Sequence, residues 1–260
     1  MKITIFTSNQ PRHQYLVNLL LTISSELFVV QECRSIFPGL VPGFYNATEA
    51  MQEYFKEVKI AEKKFFKNNC IDIENKKIKF LPISNGDLNH LNIKELNAFL
   101  QSDVYIVFGS SFIKGELANF LVDNKAINIH MGVSPYYKGA DCNFWALYDN
   151  NPHYVGATIH LLSKGLDSGP ILYHALSNRK ENAFEYSMST VLSAFQSLKE
   201  KLEDKSIFKI KPQNQEHTKQ IRYSKKQDFN DEVVLDFLKN KRKIKDFQFI
   251  KNNYKDFYLL

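Results

Sequence analysis

The chain is poor in the residues that build covalent or metal frameworks. Its three cysteines, Cys33, Cys70 and Cys142, are scattered through 260 residues with no CxxC spacing. That excludes a disulfide scaffold or zinc ribbon and points to reduced thiols in a cytoplasmic setting. Seven histidines include no HExxH pair, so no metal is expected. Ten glycines include no GxGxxG, which argues against a dinucleotide cofactor. No run approaches the roughly 20 apolar residues of a membrane span. The apolar start, residues 1–7, is broken by Ser8-Asn9-Gln10-Pro11 and is too short for a signal peptide. There is no internal repeat and no low-complexity linker. A soluble protein that is not exported is expected.

Acidic charge is also scarce in one region. The net charge is +6, and residues 199–260 hold 16 Lys and Arg against 10 Asp and Glu, so residues 1–198 are balanced. Basicity therefore belongs to the tail. These cations alternate with acids and aromatics, and the longest like-charged stretch is residues 239–245. Such a pattern is a solvated surface more often than a contact for an anionic partner, so no nucleic-acid partner is expected.

What is present, with 44% hydrophobic residues, is enough for a substantial core. Apolar periodicity predicts strands at residues 1–7, 27–30, 78–81, 104–108, 126–130, 155–162 and 171–175. Helices are predicted at residues 10–25, 47–66, 92–100, 115–122, 143–148 and 185–202, with a Pro/Gly-punctuated loop at residues 35–43. The all-apolar run at 104–108 suits a strand buried on both faces. The alternation implies an α/β fold, a Rossmann-like doubly wound and mostly parallel sheet, over residues 1–203. Residues 204–260 form a small C-terminal extension, with a helix at 231–238 and short strands at 208–210 and 220–223.

The informative segment is residues 126–167. Asn128 and His130 lie two apart on a strand and so share a face at its carboxyl end, where ligands of open α/β sheets bind. Asp167 follows 37 residues after His130 in Gly165-Leu166-Asp167-Ser168-Gly169, after the next strand, and the two glycines permit a tight return toward the imidazole. Together an amide, an imidazole and a carboxylate can stabilise an oxyanion and move a proton. No serine or cysteine is placed for an acyl-enzyme. Alone, an NxH is more often a satisfied polar pair and a DSG more often a turn.

Asn128-Ile129-His130-Met131-Gly132-Val133-Ser134-Pro135-Tyr136-Tyr137-Lys138-Gly139 resembles the NxHxSLLPxYRG signature of the folate-dependent formyltransferases. Gly156-Ala157-Thr158-Ile159-His160 and Asp167-Ser168-Gly169-Pro170-Ile171 are similar to that family's GxTxH and DxGxI segments. The resemblance covers about residues 1–200. It implies that N10-formyltetrahydrofolate donates a formyl group to a primary amine and that Asn128, His130 and Asp167 are the catalytic trio. It implies that Gly109, Ser110, Phe112 and Ile113, with Gly165 and Leu166, line the folate pocket. The length fits neither the large barrel of methionyl-tRNA formyltransferases nor a plain glycinamide-ribonucleotide formyltransferase. It is similar to the nucleotide-sugar N-formyltransferases, which act on a nucleoside-diphosphate 4-amino-4,6-dideoxyhexose for O-antigen and lipopolysaccharide synthesis, and this implies a symmetric dimer. Other acceptors such as methionyl-tRNA, or a non-catalytic folate- or nucleotide-binding module, stay open.

The acceptor side departs from the signature, with Gly132-Val133-Ser134 for Ser-Leu-Leu and Lys138 for Arg. Asn9, Arg12 and His13 leave the first strand at a helix start, which favours an anion such as a diphosphate. The alternative is Ser8 or Asn9 as a plain cap with Arg12 in solvent. Tyr136, Lys138 and Trp145 are candidates for the acceptor, although aromatics at such spacing are more often core. His160 lies mid-strand and is structural by default.

Overall fold

The structure, a computed structural model, describes residues 1–34, 41, 43–67, 69–72 and 74–260. Most of the predicted loop at 35–43 lies outside the described residues. The element order is β1 (Lys2–Ser8), α1 (Pro11–Leu21), β2 (Glu26–Cys33), α2 (Glu49–Phe66), β3 (Ile78–Ser84), β4 (Val104–Phe108), α3 (Gly115–Asp123) and β5 (Ile127–His130). There follow β6 (Tyr137–Gly139), α4 (Cys142–Tyr148), β7 (Ala157–Leu161), β8 (Ile171–Leu176), α5 (Ala183–Glu203), β9 (Arg222–Ser224), α6 (Asp231–Asn240) and β10 (Phe257–Leu259).

Eight strands form one sheet in the order β10-β8-β7-β5-β4-β1-β2-β3, and β6 pairs with β9 in a second, two-stranded sheet. All neighbours in the large sheet are parallel except around β7, which runs antiparallel to both β5 and β8. Alternation along the strands fills two cores. Ile3, Ile5, Leu27, Val29 and Ile106 face α1, α2 and α5, whereas Phe6, Val30, Tyr105 and Val107 face α3 and the segment holding Leu88, Leu96 and Leu100. This is the mostly parallel α/β sheet with helices on both faces that the periodicity implied.

Local signals explain the helix starts. The side chains of Thr48, Asn182 and Asn230 accept backbone N–H groups in the first turns of α2, α5 and α6, as capping residues should. At α1 the cap is Gln10, without a side-chain bond, and Pro11 opens the helix. Neither Ser8 nor Asn9 caps it, and the Asn9 side chain instead accepts from the Arg34 N–H at 3.1 Å.

Several predicted elements differ. Residues 92–100 form turns and one 3-10 turn, Asn97–Phe99, rather than an α-helix. The Asn92 side-chain Oδ1 accepts from the Lys94 N–H and the Glu95 carboxylate accepts from the Asn92 N–H, so side chains compete with helical bonding. Residues 206–209 are a 3-10 turn, not a strand. Strands β6 and β10, three residues each, are too short for a periodic signal and exist through their partners.

Candidate active site

Strand β5 presents Asn128 and His130 on one face, and β7 lies beside it with His160 opposite Asn128 and Thr158 opposite His130. Because β7 is antiparallel, the chain leaves it at the amino end of β5, away from His130. The loop that follows must therefore fold back along the sheet, and it does. Asp167 reaches the imidazole, with Oδ1 3.2 Å from His130 Nδ1, and the two side chains are 12% and 7% exposed. The close packing of this return is visible at Gly169, where a Cβ would sit 1.7 Å from the Leu161 carbonyl oxygen. In the same loop the left-handed residue is Asp167 itself, at φ 46°, a conformation Asp tolerates better than most side chains.

Burial opposes charge on both partners, but each outweighs it for the other. The Asp167 carboxylate, helped by Cys142, holds His130 well above its ordinary 6.5, and the imidazolium holds Asp167 below its ordinary 3.8. Cys142 is buried against His130, a neighbour that the spacing of the sequence did not reveal, and its thiol donates to the Gly139 carbonyl at 3.4 Å.

His160 is more than a strand residue. Its Nδ1 lies 2.8 Å from the Leu161 carbonyl oxygen, which can only accept, and its Nε2 lies 2.9 Å from Asn128 Nδ2. Burial drops its pKa to about 4, so the ring is neutral near pH 7 with its proton on Nδ1. Nε2 is then an acceptor, and Asn128 must donate one amide proton to it. That fixes which end of the Asn128 amide is the donor and leaves its second proton for another acceptor.

A cavity of about 400 Å³ opens on the trio, lined by Gly109, Ser110, Ser111, Phe112, Ile113, Asn128, His130, His160, Gly165, Leu166 and Asp167. The structure thus gathers all six residues expected at a folate pocket around Asn128, His130 and Asp167. Phe112 and Leu166 are 45% and 43% exposed, leaving apolar side chains free at the mouth. Gly109 turns there at φ 74°, and a Cβ would sit 2.3 Å from Nε2 of the buried His13 beneath it.

Glu32, at the end of β2, is fully buried and holds this rim. One oxygen accepts from the Gly86 N–H and the Ser111 hydroxyl, each at 2.8 Å, and the other accepts from the Ser111 N–H. The signal in the sequence was a carboxylate just after the apolar run 27–30, at a carboxyl strand end, where ligand loops gather.

A second cavity of about 330 Å³ adjoins the first and shares His130, Met131 and Gly139 with it. Its walls are largely apolar, with Tyr54 and Phe55 from α2, Phe144 from α4, Phe184 from α5 and Phe237 from α6, and Arg12 lies at its edge. Arg12 is bound to Glu62 at 2.6 Å, so it is neither free in solvent nor without a counter-ion. Lys138 is buried, with Nζ 3.2 Å from His217 Nδ1; burial lowers its pKa, and the Asp167 carboxylate resists this.

Lys138 lines neither cavity, and nor do the remaining acceptor candidates. Asn9 braces Arg34. His13 packs on Phe108, with ring centroids 4.9 Å apart, and burial beside Arg12 and Arg34 keeps it uncharged. Tyr136 stacks on Tyr154 at 4.3 Å, and Trp145 is 2% exposed beneath the Arg222 guanidinium, 4.2 Å away. These rings serve the core because the extension covers them.

Among the described residues no cluster of His, Cys, Asp or Glu could hold a metal ion, and no helix is long and apolar enough to cross a membrane. A mostly parallel α/β sheet thus brings an amide, an imidazole and a carboxylate together beside one strand. The chain belongs to the formyl transferase family, whose model matches residues 52–201. Among solved structures it is similar to the formyltransferase PseJ from Anoxybacillus kamchatkensis, solved with UDP-4,6-dideoxy-4-formamido-L-AltNAc and tetrahydrofolate. The identity is 20%, over 94% of this chain and 95% of that one, with a TM-score of 0.52. It is similar as well to a 4-N formyltransferase from Francisella tularensis, at 18% identity over 88% and 77% of the chains and a TM-score of 0.52. A phosphoribosylglycinamide formyltransferase from Anaplasma phagocytophilum matches at 17% identity over 81% and 88%, with a TM-score of 0.51. At these identities the likeness is one of fold.

Proposed function

We propose that the protein transfers the formyl group of N10-formyltetrahydrofolate to the primary amine of a nucleotide-linked 4-amino-4,6-dideoxy sugar. The observation that carries this is the meeting of two cavities at His130. One has polar backbone ends and exposed apolar side chains at its mouth, the other aromatic walls, so a donor and an acceptor can approach one imidazole from two sides. The first cavity fits a folate: Gly109 to Ile113 offer backbone polar groups to a heterocycle, and Phe112 and Leu166 offer apolar contact to its aryl linker. The second fits a deoxy sugar with an apolar face. A sugar is favoured over glycinamide ribonucleotide by coverage, since the alignment with PseJ takes in 94% of this chain against 81% for the phosphoribosylglycinamide enzyme.

N10-formyltetrahydrofolate, when bound, supplies an activated formyl carbon. Asn128 donates its second amide proton to the oxygen on which negative charge develops during attack by the amine, and the His130 imidazolium adds its positive charge beside it. Asp167 keeps that imidazole protonated and, directly or through water, receives the proton that the attacking amine loses, which passes on to N10 as the C–N10 bond breaks and tetrahydrofolate leaves. His160 keeps the Asn128 amide turned the right way.

The test is a screen of dTDP-, UDP- and GDP-linked 4-amino sugars with N10-formyltetrahydrofolate, following tetrahydrofolate release. Turnover with one of them is expected. In Asn128→Ala it should fall about a hundred- to a thousandfold, the usual loss for one oxyanion donor, with the melting temperature preserved. No turnover with any amino sugar, alongside turnover of glycinamide ribonucleotide or methionyl-tRNA, would overturn the acceptor; a near-normal rate in Asn128→Ala would overturn its role.

A further inference from the structure

Asp167 stands on a loop tied to the sheet at its ends, by the Leu162 N–H to the Ala126 carbonyl and the Leu161 N–H to the Pro170 carbonyl, and at its carboxylate, by His130 and the Gly139 N–H. Residues 162–170 leave β7 and return over the sheet, and within them Ser163 Oγ bonds the Gly165 carbonyl at 3.1 Å and lies 2.9 Å from Ser168 Oγ. Those bonds shape the loop but do not attach it to its surroundings. Its critical residue holds a left-handed φ of 46°, so the peptide after Asp167 has nearby alternatives that would swing the carboxylate away from His130.

The extension answers this. Gln215 Nε2 donates to the Asp167 carbonyl and to the Gly169 carbonyl, at 2.8 Å each. One amide thus uses both of its protons to clamp the backbone on either side of Ser168. Its orientation is unambiguous, because a flipped amide would set Oε1 against two carbonyl oxygens. Oε1 itself is buried without a partner, so the side chain is placed here for its N–H groups. The arm behind it is also held: Gln213 exchanges both backbone hydrogen bonds with Ile171, at 2.9 and 2.7 Å, and Gln215 is 7% exposed.

From this geometry we infer that Gln215, contributed by the C-terminal extension, is a positioning residue that holds Asp167 within reach of His130. The inference rests on the catalytic role proposed for Asp167. Gln215 touches neither substrate nor the reacting atoms. It sets the backbone from which the carboxylate projects, and misplacement of such a group by about 1 Å costs about a hundredfold in rate. The extension is then part of the catalytic site and not a cover added to a finished one.

The experiment uses the full chain with N10-formyltetrahydrofolate and the acceptor found by the screen. Gln215→Met keeps the volume and removes both donors, and is expected to lower kcat about ten- to a hundredfold with the acceptor KM little changed. Its acid limb in the kcat profile should move to higher pH, because a carboxylate parted from the imidazolium titrates nearer its ordinary range. Gln215→Asn keeps the amide on a shorter arm, can serve one carbonyl, and should fall between the two. In an Asp167→Asn background Gln215→Met should add no further loss, since it acts through that carboxylate. A full additive loss in the double variant, or an unshifted acid limb with a normal kcat, would overturn the inference. If Gln215→Met fails to fold, Gln215→Asn carries the test through the same pH profile and the same cycle. A fully active Asp167→Asn would instead defeat the role given to Asp167, and so is distinguishable from failure of the clamp alone.

Discussion

Asn128, His130 and Asp167 act as one electrostatic unit whose charge depends on pH in a defined way. Asp167, held below 3.8 by His130 against the cost of burial, contributes stability that is present above that ordinary value and is lost as pH falls through the depressed one. His130, raised above 6.5 by Asp167 against the same cost, contributes stability that is present below 6.5 and is lost as pH rises through the raised value. The melting-temperature difference between the parent and Asp167→Asn should therefore be largest from about pH 4 to 6.5 and shrink on either side. A difference that instead grew steadily toward alkaline pH would contradict the charged pair. At this scale the trio was legible through the resemblance of residues 128–139 and 156–171 to the formyltransferase signature, whereas a shared strand face and a carboxylate in a glycine-flanked loop only allowed it. The parts played by His160, Glu32 and Cys142 were not legible. Their roles come from the strand or side chain opposite them, and nothing within a few residues of each announces a partner 12 to 79 positions away. Asn9, His13, Tyr136 and Trp145 lie away from the two cavities for the converse reason: a polar or aromatic residue beyond a strand end is turned into the core or toward a brace by whatever packs above it.

At the scale of elements, α6 closes the second cavity. Its Asn230 cap and acidic first turn, Asp231 and Glu232, made it readable in advance as a helix, but not where it docks. Phe237 packs at 4.7 Å from Phe144, 5.7 Å from Phe184 and 6.0 Å from Tyr54, so it joins α6 to α2, α4 and α5. Phe237→Ala should destabilise the fold by about 3–5 kcal/mol, the usual range for a buried Phe. It should also raise the acceptor KM while leaving the KM for N10-formyltetrahydrofolate unchanged; a rise in the folate KM alone would place the acceptor elsewhere. The cations of the tail serve the same docking. Arg222 forks onto Asp149 at 2.9 and 3.0 Å, and Arg242 reaches Glu53. The Arg222 fork is part-buried and bidentate, whereas an exposed pair such as Arg242–Glu53 contributes little; both show part of the excess basicity spent on the body of the protein. The short strands β6 and β10 could not be read ahead because three residues carry no usable period; pairing with β9 and β8 makes them strands.

For the whole molecule, the extension is woven in at several points. Strand β9 pairs with β6 inside the signature segment, β10 adds an edge to the large sheet, and Val234, Phe237, Ile244 and Tyr254 are buried. A chain ending at residue 206 should therefore expose a broad apolar surface. It should elute as aggregate on size exclusion and be cut rapidly by protease; a monomeric, resistant product would show that the first 206 residues fold alone. The sequence by itself determined the α/β class and the order of most elements, because apolar period and capping residues are properties of adjacent positions, and it offered the trio through its likeness to a family signature. Only the tertiary structure decided that β7 runs backwards, that Asp167 must return over the sheet to meet His130, and that Gln215 and α6 complete the site. Those depend on strand direction and on contacts between distant segments, which are set by the packing of the whole chain and leave no mark in any local window of it.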